Sequence, residues 1–243
     1  MLVMGFDLET TGLNVAEDRI LEIGAILYDT DAKQPVRIYD TFVRPAAQLP
    51  ADYVSPTGIK GEWLIQHGVS LSEALGKVQS LLSVMPEPIL VGHNIINYDR
   101  PLALAEIERE NIIGHGLKNA HVIDTRQDLP FDPEPSSRKL KHLLVDYAHS
   151  MNPYEHRALF DAAACFKLID LFPFDEVLAL SKIPLITVRA LVTYKMEKER
   201  QGAKELRYAW NGEEKLWTKQ VRENAWDREK AAAAEKGFEI VRI

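Results

Sequence analysis

The spacing of hydrophobic residues changes along the chain, and these changes predict the order of its strands and helices. Residues 1–6 form an apolar run, and residues 19–28 and 36–43 are strand-like segments bounded by polar turns. Successive segments of this kind predict a three-stranded antiparallel meander at the start of the chain. The prolines that follow exclude long regular structure from the next loop.

Helical spacing begins near Ser70 and then alternates with short strands. Ser70 and Glu73 form a capping-box pattern at the start of an amphipathic helix over 70–82. The apolar run within 88–94 predicts a strand buried on both faces, as in a parallel arrangement. A strand over 121–125 and helices over 98–110, 140–149 and 157–171 complete the pattern. Strands that alternate with helices after an antiparallel start predict an α/β fold with a mixed sheet.

The last quarter of the chain has a pattern of its own, and we place a domain boundary near Lys182. Strand-like segments over 185–192, 215–221 and 238–243 alternate with helical segments over 195–210 and 225–236, and a turn is expected at Asn211-Gly212. The predicted domains are therefore residues 1–181 and a small α/β accessory domain over 182–243.

Charge is divided unevenly between these two parts. The net charge of the chain is −7, which argues against indiscriminate binding to nucleic acid. Residues 182–243 carry 14 Lys and Arg against 10 Asp and Glu, net +4, and residues 1–181 carry 15 against 26, net −11. The accessory domain is thus the part expected to neutralise the phosphates of a polyanion.

Composition also bears on the compartment. No apolar run approaches the roughly 18 residues that a membrane span needs, and the apolar start of the chain is too short for a signal segment. A single cysteine, Cys165, excludes a disulfide framework within the chain. A soluble, cytoplasmic protein in a reducing compartment is expected.

Two acids follow the first apolar run at alternate positions. Side chains two apart on a strand point to the same face, so Asp7 and Glu9 should stand side by side. Two buried like charges need a cation or a basic partner to neutralise them. The alternative is an edge strand with two solvated acids.

Three further residues could complete a site. Asp161 lies among small and apolar residues of a predicted helix, and a metal would neutralise it. His156 would lie about 140° from Asp161 on a continuous helix, so it is expected at the helix start or on the preceding loop. Asp99 follows a predicted strand. Alone, Asp99 could simply cap a helix, and His156 could be a capping or surface residue.

Together, Asp7, Glu9, Asp99 and Asp161 supply four carboxylates, and hard oxygen ligands select Mg²⁺ or Mn²⁺. Two such ions, about 3.5 to 4 Å apart, suit in-line attack of water on a phosphodiester. Histidine is the residue type whose unperturbed pKa lies nearest neutrality, so His156 would be the general base.

These segments resemble a known family. Residues 6–13 (Phe-Asp-Leu-Glu-Thr-Thr-Gly-Leu), 92–99 and 156–162 resemble, in order and spacing, the three motifs of the DnaQ-like 3′ to 5′ exonucleases of the DEDDh type, over about residues 1–175. Residues 57–59 (Thr-Gly-Ile) resemble the family's Gly-Ile turn. The resemblance implies a ribonuclease H-like fold, a mixed five-stranded sheet flanked by helices. It also implies release of nucleoside 5′-monophosphates from a free 3′ end.

The resemblance also implies roles for individual residues. Asp7, Glu9 and Asp161 become direct ligands of the ions, with Asp7 bridging both, and Asp99 binds through water. Substrate contacts fall on the backbone of Thr10, on Leu13 as a wedge against the last base, and on His93, Asn94 and Tyr98 near the substrate strand.

The accessory domain is similar to a small α/β module found after nucleases, primases and helicases in some phage and bacterial proteins, through residues 203–206, Trp210 and residues 215–217. It contains three of the four tryptophans: Trp210, Trp217 and Trp226. Aromatic residues among cations can stack on bases. The alternative, favoured for Trp210 and Trp217, is that they form the core of a small domain.

The sequence therefore predicts a metal-dependent 3′ to 5′ exonuclease acting on single-stranded ends, with DNA favoured over RNA. An exoribonuclease of the same fold is one alternative, because these motifs do not read a 2′-hydroxyl. A non-catalytic nucleic-acid-binding module is the other. The expected partners are single-stranded 3′ ends and a replication or repair protein, with no membrane partner.

Overall fold

The first sheet is built around the apolar strand at the start of the chain. The computed structural model describes residues 1–45, 49–113, 115–193, 195–212 and 214–243, and within these residues six strands form this sheet. They are β1 (Leu2–Thr10), β2 (Ile20–Asp29), β3 (Gln34–Arg44), β4 (Val69–Ser70), β5 (Ile89–Gly92) and β6 (His121–Asp124), in the order β4-β3-β2-β1-β5-β6.

Strand pairing confirms the predicted mixed sheet. β1 pairs antiparallel with β2, and β2 with β3, which is the predicted meander. On the other side of β1, strands β5 and β6 run parallel to it and to each other. The expected five strands are joined by a sixth, β4, which pairs with Val43 and Arg44. A strand of two residues is too short to show a hydrophobic period, so the sequence did not predict it.

Helices cover both faces of this sheet. They are α1 (Gly61–His67), α2 (Leu71–Leu82), α3 (Asp99–Arg109), α4 (Leu140–Asp146), α5 (Ala158–Ile169) and α6 (Phe174–Ser181). Leu75 of α2 packs with Phe6 in one hydrophobic cluster, and Phe166 of α5 packs with Val3 in another. Alternate residues of β1 thus contribute to different cores. Helices α1 and α6, of seven and eight residues, were not predicted.

Helix α5 begins in direct contact with the backbone of β2. A Cβ atom on Gly24 of β2 would lie 2.3 Å from both the carbonyl carbon of Ala158 and the backbone nitrogen of Leu159. A side chain at this position would therefore push the first turn of α5 away from the sheet. The close approach holds that turn, which carries Asp161, near β1, because Gly24 lies opposite Asp7 in the strand register.

Contact clustering divides the chain into two compact units, Met1–Ser181 and Lys182–Ile243. The second unit contains, in chain order, β7 (Leu185–Ala190), α7 (Glu197–Glu205), β8 (Ala209–Asn211), β9 (Leu216–Arg222), α8 (Trp226–Glu235) and β10 (Ile240–Arg242). Its strands form an antiparallel sheet in the order β10-β7-β9-β8. This βαββαβ order is that of ferredoxin-like domains.

One predicted helix of this unit is wrong at its C-terminal end. Helix α7 stops at Glu205, Arg207 has a φ of +65°, and Trp210 lies in β8 opposite Trp217. Trp217 is buried in the core, as favoured above. Trp210 is 51% exposed, so the core interpretation is wrong for this residue.

Within the described part of the chain, every helix falls short of the length and apolar character that crossing a bilayer requires.

Candidate metal centre

Strand β1 places Asp7 and Glu9 on one face of the sheet. Residues two apart share a face, and the neighbouring Phe6 and Leu8 belong to the hydrophobic cluster on the opposite face. Glu9 is buried and Asp7 is partly buried. The two acids therefore face the side on which α5 packs.

Helix α5 and the turn before it bring two more candidate residues to Glu9. The ligand atoms of Glu9, His156 and Asp161 all lie within 4.8 Å of one another. His156 is exposed and lies on the turn before α5, where its φ is +63°. A side chain on that turn can reach over the site, as a position five residues along a continuous helix could not.

Asp99 reaches β1 from the start of α3. Its carboxylate is buried, and its Oδ1 accepts a hydrogen bond of 3.1 Å from the backbone nitrogen of Leu8. Leu8 lies between Asp7 and Glu9 in the chain. The first turn of α3 is thereby attached to the part of β1 that carries the two acids.

Burial and mutual repulsion raise the pKa values of these carboxyl groups. Burial raises the pKa of Asp7 well above its usual range, and the charges of Asp99 and Asp161 raise it further. Burial raises the pKa of Glu9 to about 7, and raises that of Asp99 to about 8 although the Leu8 amide lowers it. A divalent cation would relieve this repulsion, and the four carboxylates are the hard oxygen donors that Mg²⁺ and Mn²⁺ take.

The Thr57 turn contacts the same site. A hydrogen bond from the Thr57 side chain lowers the pKa of Glu9 against the effect of burial. Gly58, with a φ of +85°, shapes the turn, and the Ser55 hydroxyl accepts from the backbone nitrogen of Ile59 at 2.9 Å. The turn therefore helps to orient the carboxylate of Glu9 in the candidate centre.

Asn152 is a site residue that the sequence analysis missed. Its Nδ2 donates to Asp161 Oδ1 at 2.6 Å, and the backbone nitrogen of His156 donates to Asp161 Oδ2 at 3.0 Å. These bonds lower the pKa of Asp161 against its burial, which raises it. In the sequence, an asparagine before a proline indicates only a turn. The hydrogen bond from Asn152 to Asp161 could therefore not be predicted.

A buried ion pair, also missed, fixes the start of α5. Arg157 donates to both carboxylate oxygens of Glu22 on β2, and the backbone nitrogen of Ala158 donates to Glu22 Oε2 at 3.3 Å. Burial raises the pKa of the neighbouring Asp40 to about 6, and the charge of Glu22 adds to this rise. Glu22 stands in an apolar strand. An acid in such a strand is expected to be buried and to need a basic partner, so this position could have been predicted from the sequence.

The turn after β1 presents Leu13 to solvent. Leu13 is 85% exposed. The Tyr98 hydroxyl is hydrogen-bonded to Thr10 Oγ1 and to the carbonyl oxygen of Gly12. A Cβ on Gly12 would lie 2.7 Å from a carboxylate oxygen of Asp18, so the turn is closely packed. The structure thus brings together three of the expected substrate-binding residues: Thr10, Leu13 and Tyr98.

The other two expected substrate residues bond to the chain around β6. His93 Nδ1 lies 2.9 Å from Thr125 Oγ1, and His93 Nε2 lies 3.0 Å from the carbonyl oxygen of Arg138. The backbone nitrogen of Asn94 donates to Asp124 Oδ1 at 2.8 Å, and Asn94 has a φ of +65°. Both ring nitrogens of His93 are therefore engaged within the protein, and a substrate role for either residue stays a prediction.

Comparison with known proteins bears on this geometry. The model of the exonuclease family RNase_T matches residues 4–169. The DNA polymerase III PolC-type protein of Latilactobacillus sakei is 31% identical over 160 residues, which cover 65% of this chain and 10% of that protein. The DNA polymerase III subunit epsilon of Treponema pallidum is 27% identical over 165 residues, 67% of this chain and 72% of that protein. This chain thus spans about a tenth of the PolC-type relatives.

Solved structures share the fold at low sequence identity. E. coli exonuclease I superimposes with a TM-score of 0.61 at 15% identity, covering 96% of this chain and 69% of that one. A 3′-exonuclease that recognises the 3′ end of a histone mRNA stem-loop superimposes with a TM-score of 0.55 at 18% identity, covering 70% of this chain and 80% of that one.

Proposed function

Because the chain belongs to the RNase_T exonuclease family, we propose that it is a metal-dependent 3′ to 5′ exonuclease that releases nucleoside 5′-monophosphates from single-stranded 3′ ends. In this proposal Asp7, Glu9, Asp99 and Asp161 hold two divalent ions, Mg²⁺ or Mn²⁺, and His156 is the general base. The observation that carries the proposal is the approach of Glu9, His156 and Asp161 to within 4.8 Å of one another.

The ions, when bound, would lower the pKa of the attacking water and stabilise the leaving oxygen. Side chains of the protein carry out the proton transfer and position the ligands. His156, exposed beside Glu9 and Asp161, accepts the proton of the water as its oxygen bonds to phosphorus. The bond from phosphorus to the 3′-oxygen of the preceding nucleotide then breaks. That oxygen leaves with the bonding electron pair and takes a proton from solvent, while the phosphate stays on the 5′-oxygen of the released nucleotide. Asn152 holds Asp161 in place.

DNA is the favoured substrate. E. coli exonuclease I has been solved with a dA16 oligonucleotide, and two of the relatives described above are DNA polymerase III proteins. These relatives also support a replication or repair partner. The histone mRNA 3′-exonuclease favours the second candidate, an exoribonuclease of the same fold.

The second unit contributes electrostatic attraction in this proposal. Its net charge of +4 contrasts with −11 for residues 1–181. Phosphate neutralisation supplies much of the affinity for a polyanion, so this unit would raise the affinity of the chain for the strand. Trp210 is the tryptophan of this unit that could stack on a base, since it is 51% exposed, whereas Trp217 is buried and Trp226 is partly buried against the core.

The test uses 5′-labelled single strands of DNA and RNA, equal in length and sequence, with Mn²⁺. The wild type should shorten the DNA strand stepwise from its 3′ end and release 5′-monophosphates. Asp161→Asn should be inactive, and Asp175→Asn, which changes an exposed acid on α6, should match the wild type. Faster loss of RNA would favour the exoribonuclease. Internal cleavage, or equal activity in Asp161→Asn, would refute the proposal.

A further inference from the structure

Two aromatic side chains stand exposed on the segment that carries His156 and Asp161. Tyr154 is 58% exposed and Phe160 is 39% exposed. Their ring centroids lie 4.7 Å apart, with an angle of 52° between the planes. Met151, on the same loop, is also exposed. Grouped exposed apolar side chains mark a surface that binds something, whereas single ones are ordinary.

Hydrogen bonds fix this pair relative to the candidate metal centre. Asn152 Oδ1 accepts from the backbone nitrogen of Tyr154 at 3.0 Å, and Asn152 Nδ2 donates to Asp161 Oδ1 at 2.6 Å. Phe160 immediately precedes Asp161 in the first turn of α5. One ring is therefore attached to the Asp161 carboxylate through Asn152, and the other through the helix backbone.

Two lysines, one on α4 and one near the end of α5, contact the loop that carries Tyr154. Lys141 Nζ lies 3.4 Å from a carboxylate oxygen of Glu155, and Lys167 Nζ donates to Ser150 Oγ at 2.8 Å. Exposed aromatic rings near cations are the combination that binds single-stranded nucleic acid, because the rings stack on bases and the cations attract phosphates.

We propose that Tyr154 and Phe160 form a stacking site for a nucleobase of the substrate strand, at a nucleotide other than the terminal one that Leu13 contacts. The inference rests on the proposed function, because it takes the substrate to be a single strand whose 3′ end lies at the metal centre. It adds a second base contact on the His156 side of that centre. The rings act on substrate position and length preference, not on the chemical step.

The test measures binding of labelled single strands to the full chain in chelator, where no hydrolysis occurs. Stacking contributes about 1–3 kcal/mol per base, so Tyr154→Ala and Phe160→Ala should each weaken binding about five-fold or more. Tyr154→Phe and Tyr154→Trp keep an aromatic face and should bind like the wild type. Ile113→Ala removes a more exposed apolar side chain elsewhere and is the control.

Strands with one abasic nucleotide at successive positions from the 3′ end make the test specific. For the wild type, one internal position should cause a loss of affinity that is absent in the Tyr154→Ala, Phe160→Ala double variant. The stacking site is refuted if no position shows this dependence, or if the single alanine variants bind as Ile113→Ala does. The exposed aromatic surface would then be a candidate binding site for a protein.

Hydrolysis in Mn²⁺, followed in parallel, separates this inference from the proposed function. An abasic position that depends on the two rings, together with a wild type that degrades no strand, would support the stacking site and refute the exonuclease proposal. A wild type that binds no strand at all would refute both.

Discussion

Arg157 binds both carboxylate oxygens of the buried Glu22, with its Nε at 3.0 and 3.1 Å and its Nη2 at 2.7 Å from Oε1. The pair joins the residue before α5 to the N-terminal part of β2. Glu22 lies opposite Glu9 in the register of β1 and β2, and Asp161 follows Arg157 by four residues. One ion pair thus fixes the relation between two of the proposed metal ligands.

Replacing Arg157 by alanine should destabilise Met1–Ser181 strongly. The change leaves Glu22 buried without its cation, which typically costs about 3–5 kcal/mol. We expect a loss of stability at the lower end of this range, because the Arg157 side chain is 35% exposed and water can partly solvate Glu22 once the side chain is removed. Arg157→Lys keeps the charge but loses the paired geometry, so it should cost less. Hydrogen exchange of the β2 amides measures the stability of both variants. Equal losses of stability in Arg157→Ala and Arg157→Lys would contradict the role given to the charge of Arg157.

Removing His156 and removing Asp161 should have different effects on metal binding. Asp161→Asn should lose Mn²⁺ binding together with activity. His156→Ala should keep Mn²⁺ binding while turnover falls about 10²- to 10⁴-fold, the usual contribution of a general base. Titration of Mn²⁺ followed by electron paramagnetic resonance distinguishes the two. Lost binding in His156→Ala would instead make the histidine a ligand.

His93 should make stability depend on pH. Burial lowers the pKa of His93 to about 4, whereas an unfolded histidine titrates near 6.5. Between these values the unfolded chain binds a proton that the folded chain does not. The stability that His93 contributes is therefore complete above about pH 6.5 and is lost as the pH falls toward about 4.

Urea unfolding measures this effect. The wild type should lose more stability than His93→Asn does between about pH 7.5 and about pH 4.5. His67→Asn, which changes an exposed histidine on α1, is the control and should follow the wild type. If the free energy of unfolding of the wild type and of His93→Asn changed equally with pH, His93 would not be the source of the pH dependence.

The charge of the second unit should appear in the salt dependence of binding. Deleting residues 183–243 should weaken binding to a single strand and reduce its salt slope, without removing hydrolysis. Each neutralised phosphate contributes about 0.7 to that slope for single strands. A full-length variant with Lys198, Lys215 and Lys230 changed to glutamine should show a smaller change in the same direction. Unchanged affinity in both would refute the role of this unit.

Much of the fold could be predicted because its long elements have clear hydrophobic periods. The β1 to β3 meander and the helices around α2, α3 and α5 follow such periods, with ends that differ by a few residues. Helix α1 and strand β4 are too short to show a hydrophobic period, and tertiary contacts hold them in place, so the sequence did not predict them. The segment ending at Trp210 has helix-forming residues, but pairing with β9 selects a strand there.

The candidate site could be predicted only where residue type carried the signal. Carboxylates at alternate strand positions and in an apolar helix are conspicuous, so Asp7, Glu9 and Asp161 were found. Asn152 acts through a contact formed by folding, and Glu22 has a partner 135 positions away in the chain. Neither contact has a local pattern.

The four proposed ligands come from three separate parts of the first unit: two from β1, one from α3 and one from α5. During synthesis the centre therefore cannot assemble until α5 has left the ribosome and packed on β1. A chain terminated before α3 would carry two of the four acids, and one terminated between α3 and α5 would carry three. Neither would contain the complete centre, so the proposed site exists only once the whole first unit has been made.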